Sequence, residues 1–148
     1  MTAPLYNADI LRLATSIPYQ TRLTGPMATA ERRSPICGSR VTVDIDVDAD
    51  GRVSAIGLLV RACALGQASS ALLGASVIGR TPAEIVAARD ALTAWLAREG
   101  DTPTWPGIDV FTPALDYTAR HASIRLVFEA AAEAAAAAAA TRGAPVDA

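Results

Sequence analysis

The sequence predicts a mixed fold, a small three-stranded antiparallel sheet with helices packed on it, and three observations carry that expectation. Val41, Val43, Ile45 and Val47 alternate with Thr42, Asp44, Asp46 and Asp48, the period-two signature of a strand with one acidic, wet face. Asp50-Gly51 supplies turn chemistry before a second apolar run, Val53 to Val60, so the two runs form a hairpin; a weaker strand near Ala28 to Arg33 lies beside it. Helical periodicity fills most of the remaining chain. The hydrophobic fraction of 51% is inflated by alanine while aromatic residues reach only 5%, so the core is built from Ala, Val, Leu and Ile, which favours closely packed helices.

The elements follow in order. Ile10, Leu11, Leu13, Ala14 and Ile17 mark a first helix over residues 8 to 17, with Asn7 as N-cap and Pro18 as the stop. After the hairpin, Leu65, Ala68, Leu72, Ala75 and Val77 form an apolar stripe that runs to Gly79. Thr81-Pro82-Ala83-Glu84 is a capping box with proline at the first helical position, and Ile85, Leu92, Trp95 and Leu96 give the next helix its buried face. Residues 101 to 107 read as a loop, and Thr112-Pro113 opens a short helical stretch. The last helix runs from Ala119 to about Thr141. It closes on alanines 134 to 140, strong helix formers that offer little side chain to bury, so this end is expected to fray. A length of 148 residues suits one domain, here residues 1 to 142, with 143 to 148 as a disordered tail.

Composition excludes several functions. The chain contains no lysine, which removes Walker-type phosphate loops and Schiff-base enzymes. A formal charge of -2 and a pI near 5.3 argue against a nucleic-acid footprint. No run approaches the ~20 apolar residues of a membrane span, and no basic segment precedes an apolar stretch at the N-terminus, so the chain reads as soluble and cytoplasmic. Asp46, Asp48, Asp50 and Gly51 match the first half of an EF-hand loop, but the twelfth position, which needs a bidentate Glu, is Gly57. A serine hydrolase has only His121 for its base, and Gly74 to Gly79 is one residue too long for a nucleophile elbow.

The two cysteines are more informative. Cys37 ends a Pro-Ile-Cys-Gly loop before the first clear strand, and Cys63 lies where a strand gives way to a helix. Antiparallel strands joined by a turn bring their outer ends together, so the two thiols can share a corner. The helix after Cys63 directs unpaired N–H groups at its sulfur, favouring the thiolate that binds metal. Lone cysteines are also often small core residues, and local pattern leaves both readings open.

Ser34-Pro35-Ile36-Cys37-Gly38-Ser39-Arg40 resembles the Asn-Pro-x-Cys-Gly-Asp segment of the NifU/IscU/SufU family of iron-sulfur cluster assembly scaffolds. Ala62-Cys63 with Gln67-Ala68-Ser69 resembles the family's Gly-Cys-x-x-x-x-Ala-Ser, and Tyr117 to Phe128 resembles the Phe-Pro-Ala-Arg-x-x-Cys-x-x-Leu-x-Trp that opens the last helix in SufU-like members. Leu5-Tyr6-Asn7 through Ile10 resembles the N-terminal helix, so the resemblance covers residues 5 to 132 in order and spacing. It implies an α+β fold of the SufE/NifU-like kind and a metal or cluster site at one exposed end, normally built from three cysteines and an aspartate. Cys37 and Cys63 keep their places; the aspartate is Ser39, and the third cysteine is Ser123, or Ala122 in an IscU-like register. The resemblance thus implies a non-enzymatic scaffold or carrier that transiently binds iron, zinc or a labile 2Fe-2S cluster through Cys37, Cys63 and His121. Its partners would be a cysteine desulfurase and recipient proteins, and two subunits could pool their cysteines around one cluster. A metal-free adaptor and a thiol redox protein using Cys63 are the alternatives.

Overall fold

The computed structural model describes residues 6–35 and 38–143. The chain runs through helix α1 (Ala8–Ala14), strands β1 (Ala28–Arg33), β2 (Arg40–Val47) and β3 (Val53–Arg61), helices α2 (Ala64–Ser76) and α3 (Pro82–Leu96), two 3-10 helices (Ile108–Asp116 and Thr118–Arg120) and helix α4 (His121–Gly143). The fold is α+β, as expected, with one antiparallel sheet in the order β1-β2-β3.

Local signals placed most boundaries. Asn7 caps α1 by accepting a hydrogen bond from the Ile10 N–H, and Thr81 and Glu84 form the reciprocal capping box of α3. Helix α1 stops at Ala14 rather than continuing to Ile17, because the hydroxyls of Thr15 and Ser16 both donate to the Arg12 carbonyl and unwind the last turn. The stretch expected to open at Thr112 begins earlier, at Ile108, as a 3-10 helix. The preceding loop is pinned by Trp105, which donates its indole N–H to the Leu72 carbonyl at 2.8 Å and meets Phe128 edge-to-face at 5.3 Å between ring centroids.

The alternating apolar residues of β2, from Val41 to Val47, are buried against α4, which lies across β1 and β2 and also packs on α2 and α3. The alanine-rich end of α4 differs from the expectation that it has little to bury. Ala130, Ala131, Ala132, Ala134, Ala135 and Ala138 are all buried. Their small side chains let neighbouring elements approach the α4 backbone closely, so a helix with modest side chains is a central packing element. Residues 144–148, most of the expected tail, lie outside the described residues. No helix among the described residues is long and apolar enough to cross a membrane.

The opposite face of the sheet is not the wet acidic surface that the alternation suggested. The segment from Tyr19 to Met27 straps across it. Tyr19 accepts the Leu58 N–H, which points away from β2, and so covers part of the outer edge of β3. Gly57 makes the crossing feasible, since a Cβ there would stand 2.6 Å from the Thr21 carbonyl oxygen and 2.9 Å from the Leu23 nitrogen. Beneath the strap, Asp44 is fully buried. It accepts hydrogen bonds from Arg22 Nε at 2.6 Å, Arg22 Nη2 at 3.0 Å, the Leu23 N–H at 3.0 Å and the Thr29 hydroxyl at 2.6 Å. Burial opposes ionisation of Asp44, but these donors and the Arg22 charge outweigh it and hold the carboxyl below its ordinary pKa.

Candidate functional site

The open end of the β2–β3 hairpin is where the two cysteine segments were expected to meet. Arg40 pairs with Arg61 across the two strands, so Ser39 and Ala62 lead out of neighbouring strands at the same end. The loop entering β2 is closed by its own backbone: the Ser34 N–H donates to the Ser39 carbonyl at 2.8 Å and the Gly38 N–H to the Ser34 carbonyl at 3.0 Å. Gly38 has φ 72°, a left-handed conformation that glycine adopts readily, which explains glycine at this corner. Ser39 is buried. Cys37 lies outside the described residues.

Cys63 leaves β3 in an extended conformation and is the N-cap of α2, with its carbonyl accepting the Gln67 N–H at 2.9 Å. Its thiol is free and half-buried. The first turn of α2 lies against the first turn of α4. A Cβ on Gly66 would stand 2.6 Å from the Ala62 Cβ and 3.3 Å from the Ser123 carbonyl oxygen, so glycine relieves a clash within the turn and lets the α4 backbone come close, and the Ser69 hydroxyl donates to the Ile124 carbonyl at 2.7 Å. The buried Ser123 therefore sits at the α2 terminus that Cys63 caps.

His121, buried at the start of α4, turns Nε2 to the Ala114 carbonyl oxygen at 2.8 Å. A carbonyl can only accept, so Nε2 carries the proton and a neutral ring keeps its lone pair on Nδ1. A backbone carbonyl holding one ring N–H is the arrangement that commonly orients a metal-ligating histidine. No group of three or more His, Cys, Asp and Glu side chains able to hold a metal occurs among the described residues. Two thiolates and an imidazole are chemically suited to zinc or iron, whereas hydroxyls at positions 39 and 123 are weak substitutes for a carboxylate and a thiolate.

The chain aligns over 90% of its length with 94% of the N-terminal part of a nitrogen-fixing NifU-like protein from Brucella abortus, at 40% identity and a TM-score of 0.86. The chain belongs to the NifU/IscU/SufU family. A protein of Fervidobacterium islandicum described as an iron-sulfur cluster assembly scaffold for the SUF system shares the fold, with a TM-score of 0.81 at 19% identity over 88% of this chain and 96% of that one. No protein-family model matches the chain, and no curated protein does. Within this NifU-like fold, the residues that sequence reasoning missed are a row of arginines at the same sheet end, Arg33, Arg40 and Arg61. Their signal was the register, which sets them side by side.

Proposed function

We propose that this NifU-like chain is an iron-sulfur cluster assembly scaffold or carrier. It holds iron, zinc or a labile 2Fe-2S cluster as cargo through the thiolates of Cys37 and Cys63, with His121 contributing Nδ1, and passes the cargo to recipient proteins. The observation that carries the reading is the position of Cys63: a free, half-buried cysteine at the N-cap position of α2, at the hairpin end that also bears the Ser34–Ser39 loop, where Gly66 of the first turn of α2 lies against the Ser123 carbonyl. The 40% identity to a NifU-like protein over nearly the whole chain supports the same role, and the long segment between Cys63 and Ser123 favours the SufU-like branch. Sulfur would come from a cysteine desulfurase. With the third cysteine replaced by Ser123, the chain itself offers two thiolates, so a 2Fe-2S cluster with four thiolate ligands would form between two subunits, each giving Cys37 and Cys63. Binding, orientation and release of the cargo are the whole task, and no turnover chemistry is assigned to the chain.

A second reading is favoured by one specific observation. The positions of the family's aspartate and third cysteine hold buried serines, Ser39 and Ser123, which suits an adaptor that keeps the fold to dock assembly factors without metal. Metal analysis of the purified protein, with anaerobic reconstitution using ferrous iron and sulfide on the wild type and Cys37→Ala, separates the two. Metal or cluster uptake by the wild type that is lost in the variant is the expected result. No uptake by either would favour the adaptor, and a metal-free peroxide or disulfide activity dependent on Cys63 would replace both with a thiol redox function.

A further inference from the structure

Three arginines stand side by side at one end of the sheet. Arg33 pairs directly with Arg40, and Arg40 with Arg61. Directly opposed residues of antiparallel strands project from the same face, so all three guanidinium groups leave the sheet together on the face opposite α4. Like charges placed directly across from one another repel, and the chain as a whole is acidic, with a formal charge of -2. Glu31 is the carboxylate nearest in the pairing scheme. It accepts a hydrogen bond from Arg33 Nε at 3.0 Å and feels the charge of Arg40. Arg61 has no ion pair among the described residues.

The three arginines, with Ser34, Gly38 and Ser39, line an open cavity of about 550 Å3. Its size falls in the range of small-ligand sites. Two strand spacings separate the outer members of the row, roughly 10 Å at the backbone. That width matches two or three separated acidic groups better than a single point charge, and guanidinium forks are suited to carboxylates.

We propose that this cavity binds a small polycarboxylate anion, held by Arg33, Arg40 and Arg61. The charges of the site come from the three arginines and require no metal. Isothermal titration calorimetry at low ionic strength, with citrate and inorganic phosphate as probes, tests it on the full chain. Citrate is expected to bind more tightly than phosphate, with an affinity that falls as salt rises. Arg40→Gln and Arg61→Gln should each weaken citrate by about tenfold or more, as loss of a charge-assisted hydrogen bond would. Arg12→Gln, which removes an equal charge from the exposed surface of α1, should leave the affinity unchanged. Because neutralising Arg40 or Arg61 relieves repulsion, neither variant should melt below the wild type, which excludes unfolding as the cause. The proposal is overturned if citrate does not bind, if all three variants weaken it equally, if phosphate binds as tightly as citrate, or if only an acidic peptide binds.

Discussion

Asp44→Ala is expected to lower the unfolding free energy by about 3 kcal/mol at neutral pH, the scale of removing a buried, charge-assisted hydrogen-bond cluster. Four donors converge on this carboxylate, which has no exposed surface: three come from Arg22 and Leu23 of the strap and one from Thr29 of β1. Its removal leaves the Leu23 N–H and the Thr29 hydroxyl without their acceptor and loosens the middle of the strap, which stays tied to β2 at Met27, whose N–H donates to Asp46. Arg22, half exposed, can turn to water, so the loss arises mainly from the buried donors and the loosened middle of the strap. The pH dependence follows from the depressed folded-state pKa of Asp44. Its contribution is fully present above the unfolded value of about 4 and disappears as pH falls through the lower folded value. Urea denaturation should therefore show a large gap between wild type and Asp44→Ala at pH 7, narrowing steadily below about pH 4. A gap independent of pH would show that the charge of Asp44 is not what holds the strap.

The second large effect concerns the two replaced ligand positions. Zinc affinity should tighten by at least ~100-fold in the double variant Ser39→Asp, Ser123→Cys. The roughly 10–16 kcal/mol of a structural zinc site, divided over its ligands, gives about 3 kcal/mol for each strong donor restored. Both serines already occupy buried positions at the hairpin end, one in the loop entering β2 and the other where α4 meets the terminus capped by Cys63, so the substitutions require no new backbone geometry. Competition with a chromophoric zinc chelator measures the change. If the double variant binds no more tightly than the wild type, positions 39 and 123 do not face a common centre with the cysteines.

The parts of this fold that were legible in the sequence are those encoded locally. The hairpin announces itself by alternation and an Asp-Gly turn, and α3 by a four-residue capping box. What crosses the sheet was not legible. Alternation shows that Asp44 shares a polar face with Asp46, but the strap that buries it begins more than twenty residues earlier, and only Gly57 hints that a backbone must pass close by. The alanines of α4 illustrate the same limit from the other side. Propensity identifies the helix, whereas the burial of Ala134 and Ala138 depends on the neighbours that pack there. At the candidate site, motif order singled out Cys63 and Ser123, and the approach of Gly66 to the Ser123 carbonyl brings the first turns of their two helices together. The orientation of His121 depends on a carbonyl at the end of the first 3-10 helix, and the arginine row on a strand register that a two-residue slip would abolish.

The most direct test of the carrier reading is X-ray absorption spectroscopy of the wild-type protein loaded with one equivalent of zinc, which counts the sulfur atoms in the metal's inner shell. Two sulfurs per zinc at about 2.3 Å, falling to one in Cys63→Ser, are the predicted result. A shell of oxygen and nitrogen alone, or zinc that is not retained, would contradict it.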